Sequence, residues 1–147
     1  MKNTAPIVIG SDHAGYALKE LVKDYLIALN LEVEDCGTFS EDSVDYTDFG
    51  IAVAGKVSSG DFNRGILICG TGLGMSMVAN RFKYVRAALC NDIFSAMMSR
   101  QHNDSNLLVL GGRVIGVELA KEIVQVWLKT PFEGGRHKSR IDKFDTI

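Results

Sequence analysis

Long apolar runs are missing from the sequence: no stretch reaches the roughly 18 consecutive apolar residues that a membrane span requires. The opening stretch MKNTAPIVIGSDHAG lacks the extended apolar segment and cleavage site of a secretory leader, so a cytoplasmic protein is expected. Cysteine is scarce. Cys36, Cys69 and Cys90 are odd in number, far apart, in no CxxC pair and without a histidine at ligand spacing, which argues against a disulfide framework and against structural zinc. An excess of one charge is also absent. Sixteen Lys and Arg against 18 Asp and Glu leave a formal charge of -2, which disfavours a nucleic-acid partner. No repeat, linker or low-complexity segment divides the chain, and a single domain over residues 1–147 is expected. What is present is ordinary for a globular protein: 46% apolar and 23% charged residues.

Short β-type runs alternate with helix-type stretches. PIVIG (6–10), LEVEDCG (31–37), GILICG (65–70), VRAALC (85–90) and NLLVLGG (106–112) read as five strands. Between and after them, residues 14–30 place Leu18, Val22, Tyr25 and Leu29 on one helical face, and helices are expected from about Phe49 to Val57, over 93–102 and over 116–129. In the last of these Ala120, Ile123, Val124 and Trp127 share a face while Lys121, Glu122 and Lys129 stay wet. The alternation predicts a three-layer α/β Rossmann-like fold, a five-stranded parallel sheet with helices on both faces.

Such sheets bind ligands where the chain leaves the carboxyl ends of the strands. The richest of these places is CGTGLG (69–74), where three glycines precede an apolar, helix-like stretch and suggest close approach to an anion. The dinucleotide fingerprint fails, since GxGxxG does not follow the first strand. The P-loop of nucleoside triphosphatases fails because no Lys-Ser or Lys-Thr follows the glycines. A thiol phosphatase would need an arginine where this chain has Met75. There remains a cysteine near a helix amino end, which would lower a thiol pKa and make Cys69 a base or nucleophile; the alternative is a small buried apolar residue, the reading also given to Cys36 and Cys90.

His13, beside Asp12, and His102, which ends a predicted helix, are either surface or capping residues or acid/base groups whose neighbours fix their tautomers. The tail EGGRHKSRIDK (133–143) would, if helical, set Arg136 and Arg140 four apart on one face, a spacing suited to one phosphate; the alternative is a solvated basic end. Arg113, after the fifth strand, would add a third charge at the ligand edge or serve a surface ion pair.

The segments GSDHAG, DCGT, DY (45–46), GILICGTGLGMSMVANR, VRAAL, SRQHNDSN, LGGRVIG and EGGRHKSRI, in this order and spacing, resemble the ribose-5-phosphate isomerase B family, which also holds the galactose-6-phosphate isomerase subunits. The resemblance implies an aldose–ketose isomerase interconverting ribose 5-phosphate and ribulose 5-phosphate through an enediolate, without metal or organic cofactor. It assigns the base to Cys69, an anion hole to Thr71 and the amides of Gly70, Gly72, Leu73 and Gly74, and ring opening to His102. It further assigns a sugar-hydroxyl contact to Asn103, binding to Asp12 and His13, and the phosphate to Arg113, Arg136 and Arg140. It also implies a homodimer with shared active sites, completed by the tail from about residue 131 to 147. Alternatives are an isomerase of a 6-phosphohexose, such as galactose 6-phosphate or allose 6-phosphate, and a non-catalytic phosphosugar-binding module. One departure is Thr47, where the family often has proline.

Overall fold

The apolar runs form strands β1 (Ile7–Ser11), β2 (Val33–Asp35), β3 (Arg64–Cys69), β4 (Ala87–Leu89) and β5 (Leu107–Gly111) of one sheet, in a computed structural model that describes residues 5–147. Residues 1–4 of the expected domain lie outside the described part. The strands run in the order β2-β1-β3-β5-β4 and every pairing is parallel, with Ile9 opposite Ile66, and Ile66 opposite Leu108.

The helices are α1 (Tyr16–Ala28), α2 (Tyr46–Ser58), α3 (Leu73–Ala79), α4 (Ile93–Gln101), α5 (Val117–Lys129) and α6 (Arg136–Ile141). Side chains alternate between the sheet's faces along each strand, which separates two cores. Ile7, Ile9, Ile66, Ile68, Leu108 and Leu110 pack with α1, α4 and α5. Val8, Leu67, Cys69, Leu107 and Val109 pack with α2 and α3. Right-handed crossovers explain the division, because a connection running the other way across the sheet must lie on the other face. Trp127 closes the first core, fully buried, with its Nε1–H donating to Ser105 Oγ at 2.8 Å. Burial of one such side chain stabilises by about 1.5–3 kcal/mol.

The expected buried face of α5 is observed in full, and α1 departs from its periodicity. Leu26 is buried where Leu29 was expected, and Lys19 is fully buried as well. Lys19 reaches Glu20 and Asp35, each at 2.7 Å, and Asp35 also holds Lys23 at 2.9 Å. These contacts hold the Asp35 carboxyl below its ordinary range against the opposing effect of its own burial. The helix α2 begins at Tyr46, three residues before the expected Phe49, and β2 and β4 are shorter than the runs that predicted them.

Strands all run one way and the helices between them run back. Loops that follow strands therefore gather at one edge of the sheet, and loops that precede strands gather at the opposite edge.

Candidate active site

At the carboxyl edge, β1 and β3 are neighbours whose chains leave toward opposite sides, the switch point at which open α/β sheets bind ligands. Asp12 is buried there, and its Oδ1 accepts the Gly15 N–H at 2.9 Å, satisfying an amide at the start of α1. Gly15 allows the close approach: a Cβ would lie 2.5 Å from the carbonyl oxygen of Ile68. His13 Nδ1 accepts the Val44 N–H at 3.1 Å, which places the proton of the neutral ring on Nε2, where it can be donated to an anion.

Cys69 ends β3, and its Sγ accepts the N–H of Gly72 at 3.2 Å. Gly72 reaches it through a left-handed backbone, φ 81°. The next amide, Leu73 N–H, donates to Thr71 Oγ1 at 3.2 Å. Two of the amides expected to line an anion hole are thus turned inward, on Cys69 and Thr71. Gly74 lies in the first turn of α3, where amides lack intrahelical acceptors.

The loop is fastened to the end of β5, with Gly112 N–H donating to Cys69 O at 2.8 Å and Arg113 N–H to Gly70 O at 2.9 Å. The exposed Arg113 side chain lies against Gly70, where its Cδ and Nη1 are 3.5 Å from a Cβ position. On the other side the Tyr46 ring covers Gly74, 2.6 Å from a Cβ position. Tyr46 of the DY motif, to which the sequence assigns no site role, thus lies on the loop.

His102, Asn103, Arg136 and Arg140 belong to the opposite edge. The helix α4 begins after β4, capped by Asp92 accepting the Ser95 N–H, and returns to end at His102, before β5 starts. His102 therefore ends a helix and precedes a strand, and it does not share the strand-end loops in which Asp12, His13 and Cys69 stand. Cys69 pairs with Gly111 at the end of β5, whereas His102 lies five residues before its start at Leu107. The intervening strand is on the order of 13 Å long at ~3.3 Å per residue. Within one chain the sheet separates Cys69 from His102.

The tail joins His102 at that edge. Glu133 N–H donates to Gln101 O at 3.1 Å, and α6 lays the buried His137 on His102, ring centroids 4.2 Å apart and 12° from parallel. Burial first, then His102 and Arg136, depress the basicity of His137, while Glu133, 3.5 Å from Nε2, opposes them. Arg136 and Arg140 are exposed on α6, four residues apart as expected.

Donor atoms of His102, Glu133 and His137 all lie within 4.8 Å of one another. Stacked imidazoles aim their nitrogen lone pairs along nearly parallel planes, so the two rings do not converge on one ion.

The ribose/galactose isomerase family profile matches residues 7–144. The chain belongs to this family. Within it, the chain is 46% identical to ribose-5-phosphate isomerase B of Escherichia coli strain K12, over 96% of this chain and 95% of that protein. It is 53% identical to the ribose 5-phosphate isomerase of Thermotoga maritima, whose crystal structure it matches with a TM-score of 0.95, covering 97% of this chain and 99% of that one. A family structure from Mycoplasma genitalium with bound ribulose-5-phosphate is 42% identical, with a TM-score of 0.92 over 96% of this chain and 94% of that one. No described helix is long and apolar enough to cross a membrane.

Proposed function

We propose that the protein is an aldose–ketose isomerase interconverting ribose 5-phosphate and ribulose 5-phosphate, working as a homodimer in which each site is built from both chains. The observation that carries the shared site is the separation of Cys69 and His102 to opposite edges of one sheet. A two-fold axis that set the carboxyl edge of one chain against the opposite edge of its partner would complete two identical sites at once.

In this reading the Cys69 thiolate removes the C2 proton of the open aldose and electrons move to the C1 oxygen to give an enediolate; a proton passes from the C2 hydroxyl to the C1 oxygen, the C2 carbonyl forms, and the proton held by Cys69 returns to C1. The Gly74 amide and Thr71 hydroxyl stabilise the developing oxyanion. His102 from the other chain transfers protons between ring oxygen and anomeric hydroxyl to open the furanose, and Asn103 holds a sugar hydroxyl. Arg113 works with the other chain's Arg136 and Arg140 on the phosphate, and the His13 Nε2–H donates at the same end. Asp12 organises the turn that carries His13. The tail from about residue 131 thus completes a site in the partner. The residues supply base, acid and anion donors without a metal or organic cofactor. Three free cysteines suit a reducing, cytoplasmic setting.

The decisive experiment is complementation. Cys69→Ala and His102→Ala proteins are each expected to be nearly inactive on cyclic ribose 5-phosphate. Mixed and refolded together, half of the dimers would be hybrids with one intact site in two, restoring roughly a quarter of wild-type activity. Recovery near zero would refute the shared site, and full activity of Cys69→Ala alone would refute the base.

A further inference from the structure

A second concavity opens under the sheet. A cavity of about 650 Å³ lies at the starts of β3, β4 and β5, lined by Arg64, Arg86, Arg100, Asp104, Asn63 and Ser59 among others. None of its lining residues is among those assigned above to the chemistry or to the substrate phosphate. Its volume falls in the range of small-molecule sites, about 300–1,000 Å³.

Three guanidiniums face one carboxylate here, so the charged lining carries two positive charges in excess. Asp104 is shared, with Oδ1 2.9 Å from Arg100 Nη1 and Oδ2 3.4 Å from Arg86 Nη2. Arg64 has no carboxylate partner among the described residues. One of its five N–H groups donates to Leu128 O at 3.0 Å, and its guanidinium lies over the Trp127 ring, 5.2 Å from the centroid. Burial, and then the charge of Arg100, pull the Arg64 pKa down to about 10, which leaves it charged at neutral pH and under-compensated.

The cluster is also held in place before any ligand arrives. Arg100 is fixed by the carbonyls of Thr130 and Ser105, Arg86 Nε donates to Asp104 O at 2.8 Å, and Arg64 rests on a fully buried indole. Donors ordered in advance lose less entropy on binding. A tetrahedral dianion matches both the excess charge and the fork geometry of arginine. We propose that this cavity is a second anion site, taking a small phosphoryl-bearing molecule on Arg64 with Arg86 and Arg100, apart from the substrate-phosphate arginines. Asn63, Ser58 and Ser59 at its rim supply neutral polar partners.

The probe is inorganic pyrophosphate, titrated calorimetrically at low salt into the full chain carrying Arg136→Gln and Arg140→Gln, which weakens the substrate-phosphate site. Pyrophosphate is expected to bind this background once per chain, and added Arg64→Gln to weaken it by about tenfold or more. Because Arg64 also packs on Trp127, a second variant adds a charge and removes no described hydrogen bond: Asn63→Asp, at an exposed rim position, is expected to weaken binding similarly. Absence of binding in the background, or binding unchanged by Asn63→Asp, would overturn the proposal. Isomerase activity of Arg64→Gln and Asn63→Asp in the otherwise wild-type chain is expected to persist, which separates this test from that of the proposed function.

Discussion

The imidazole of His137 covers that of His102, with centroids 4.2 Å apart and planes 12° from parallel. Burial first, and then the neighbouring His102, lower the basicity of His137. Arg136 and Arg140 add to the positive side, and only Glu133 opposes them.

Stability should consequently fall in mild acid. His137 is less basic folded than at its ordinary value of 6.5, so the unfolded chain binds more protons and unfolding is favoured as the pH drops through that region. The melting temperature is expected to decline between about pH 7.5 and 5.5, and His137→Gln to flatten the decline. An equally steep profile in the variant would assign the acid sensitivity to other groups.

Gly72 offers a test of the thiol's environment. The backbone there holds φ 81°, which an L side chain strains, and a Cβ would sit 2.4 Å from Leu89 Cδ1, so Gly72→Ala is expected to displace the amide that serves Cys69. The expected result is a fall in kcat of about tenfold or more. Gly60→Ala is the control: its φ is 85° and nothing lies within 4 Å of its Cβ position, so it should lose stability alone.

Much of this architecture was legible in the sequence because burial leaves a periodic trace. Ala120, Ile123, Val124 and Trp127 are all buried as their spacing requires, and the five apolar runs are the five strands. Lys19 was illegible, since a lysine signals solvent unless its carboxylate partners are known, and Asp35 stands sixteen residues away. The edge on which His102 stands follows from the topology, since a helix that follows a parallel strand ends at the edge where the next strand begins. His137 and Tyr46 were missed as site neighbours for a different reason. Their contacts, with His102 and with Gly74, join parts of the chain that no local spacing relates.

The Lys19 network predicts a large penalty from a small change. Asp35→Asn leaves a fully buried ammonium with Glu20 alone and should destabilise by about 3 kcal/mol, measured by urea denaturation at neutral pH. The folded Asp35 carboxyl is depressed, so its contribution is present above the ordinary carboxylate pKa and is lost as the pH falls through the lower folded value. The difference between wild type and Asp35→Asn should therefore shrink in strong acid.

For the tail, Arg140→Gln is expected to raise KM for phosphorylated sugars by about tenfold or more, with a smaller change in melting temperature, because its exposed side chain contributes little to the fold. An unchanged KM would reduce the basic tail to a solvated surface.

With Cys69 on one edge of the sheet and His102 and the tail arginines on the other, a gene duplication could divide the labour of the proposed two-fold pair. One copy could lose its base and the other its arginines, and their hybrid would still hold one working site. If the site is shared as proposed, a pair in which one chain has lost only its base keeps one of its two sites, while dissociation into monomers removes both.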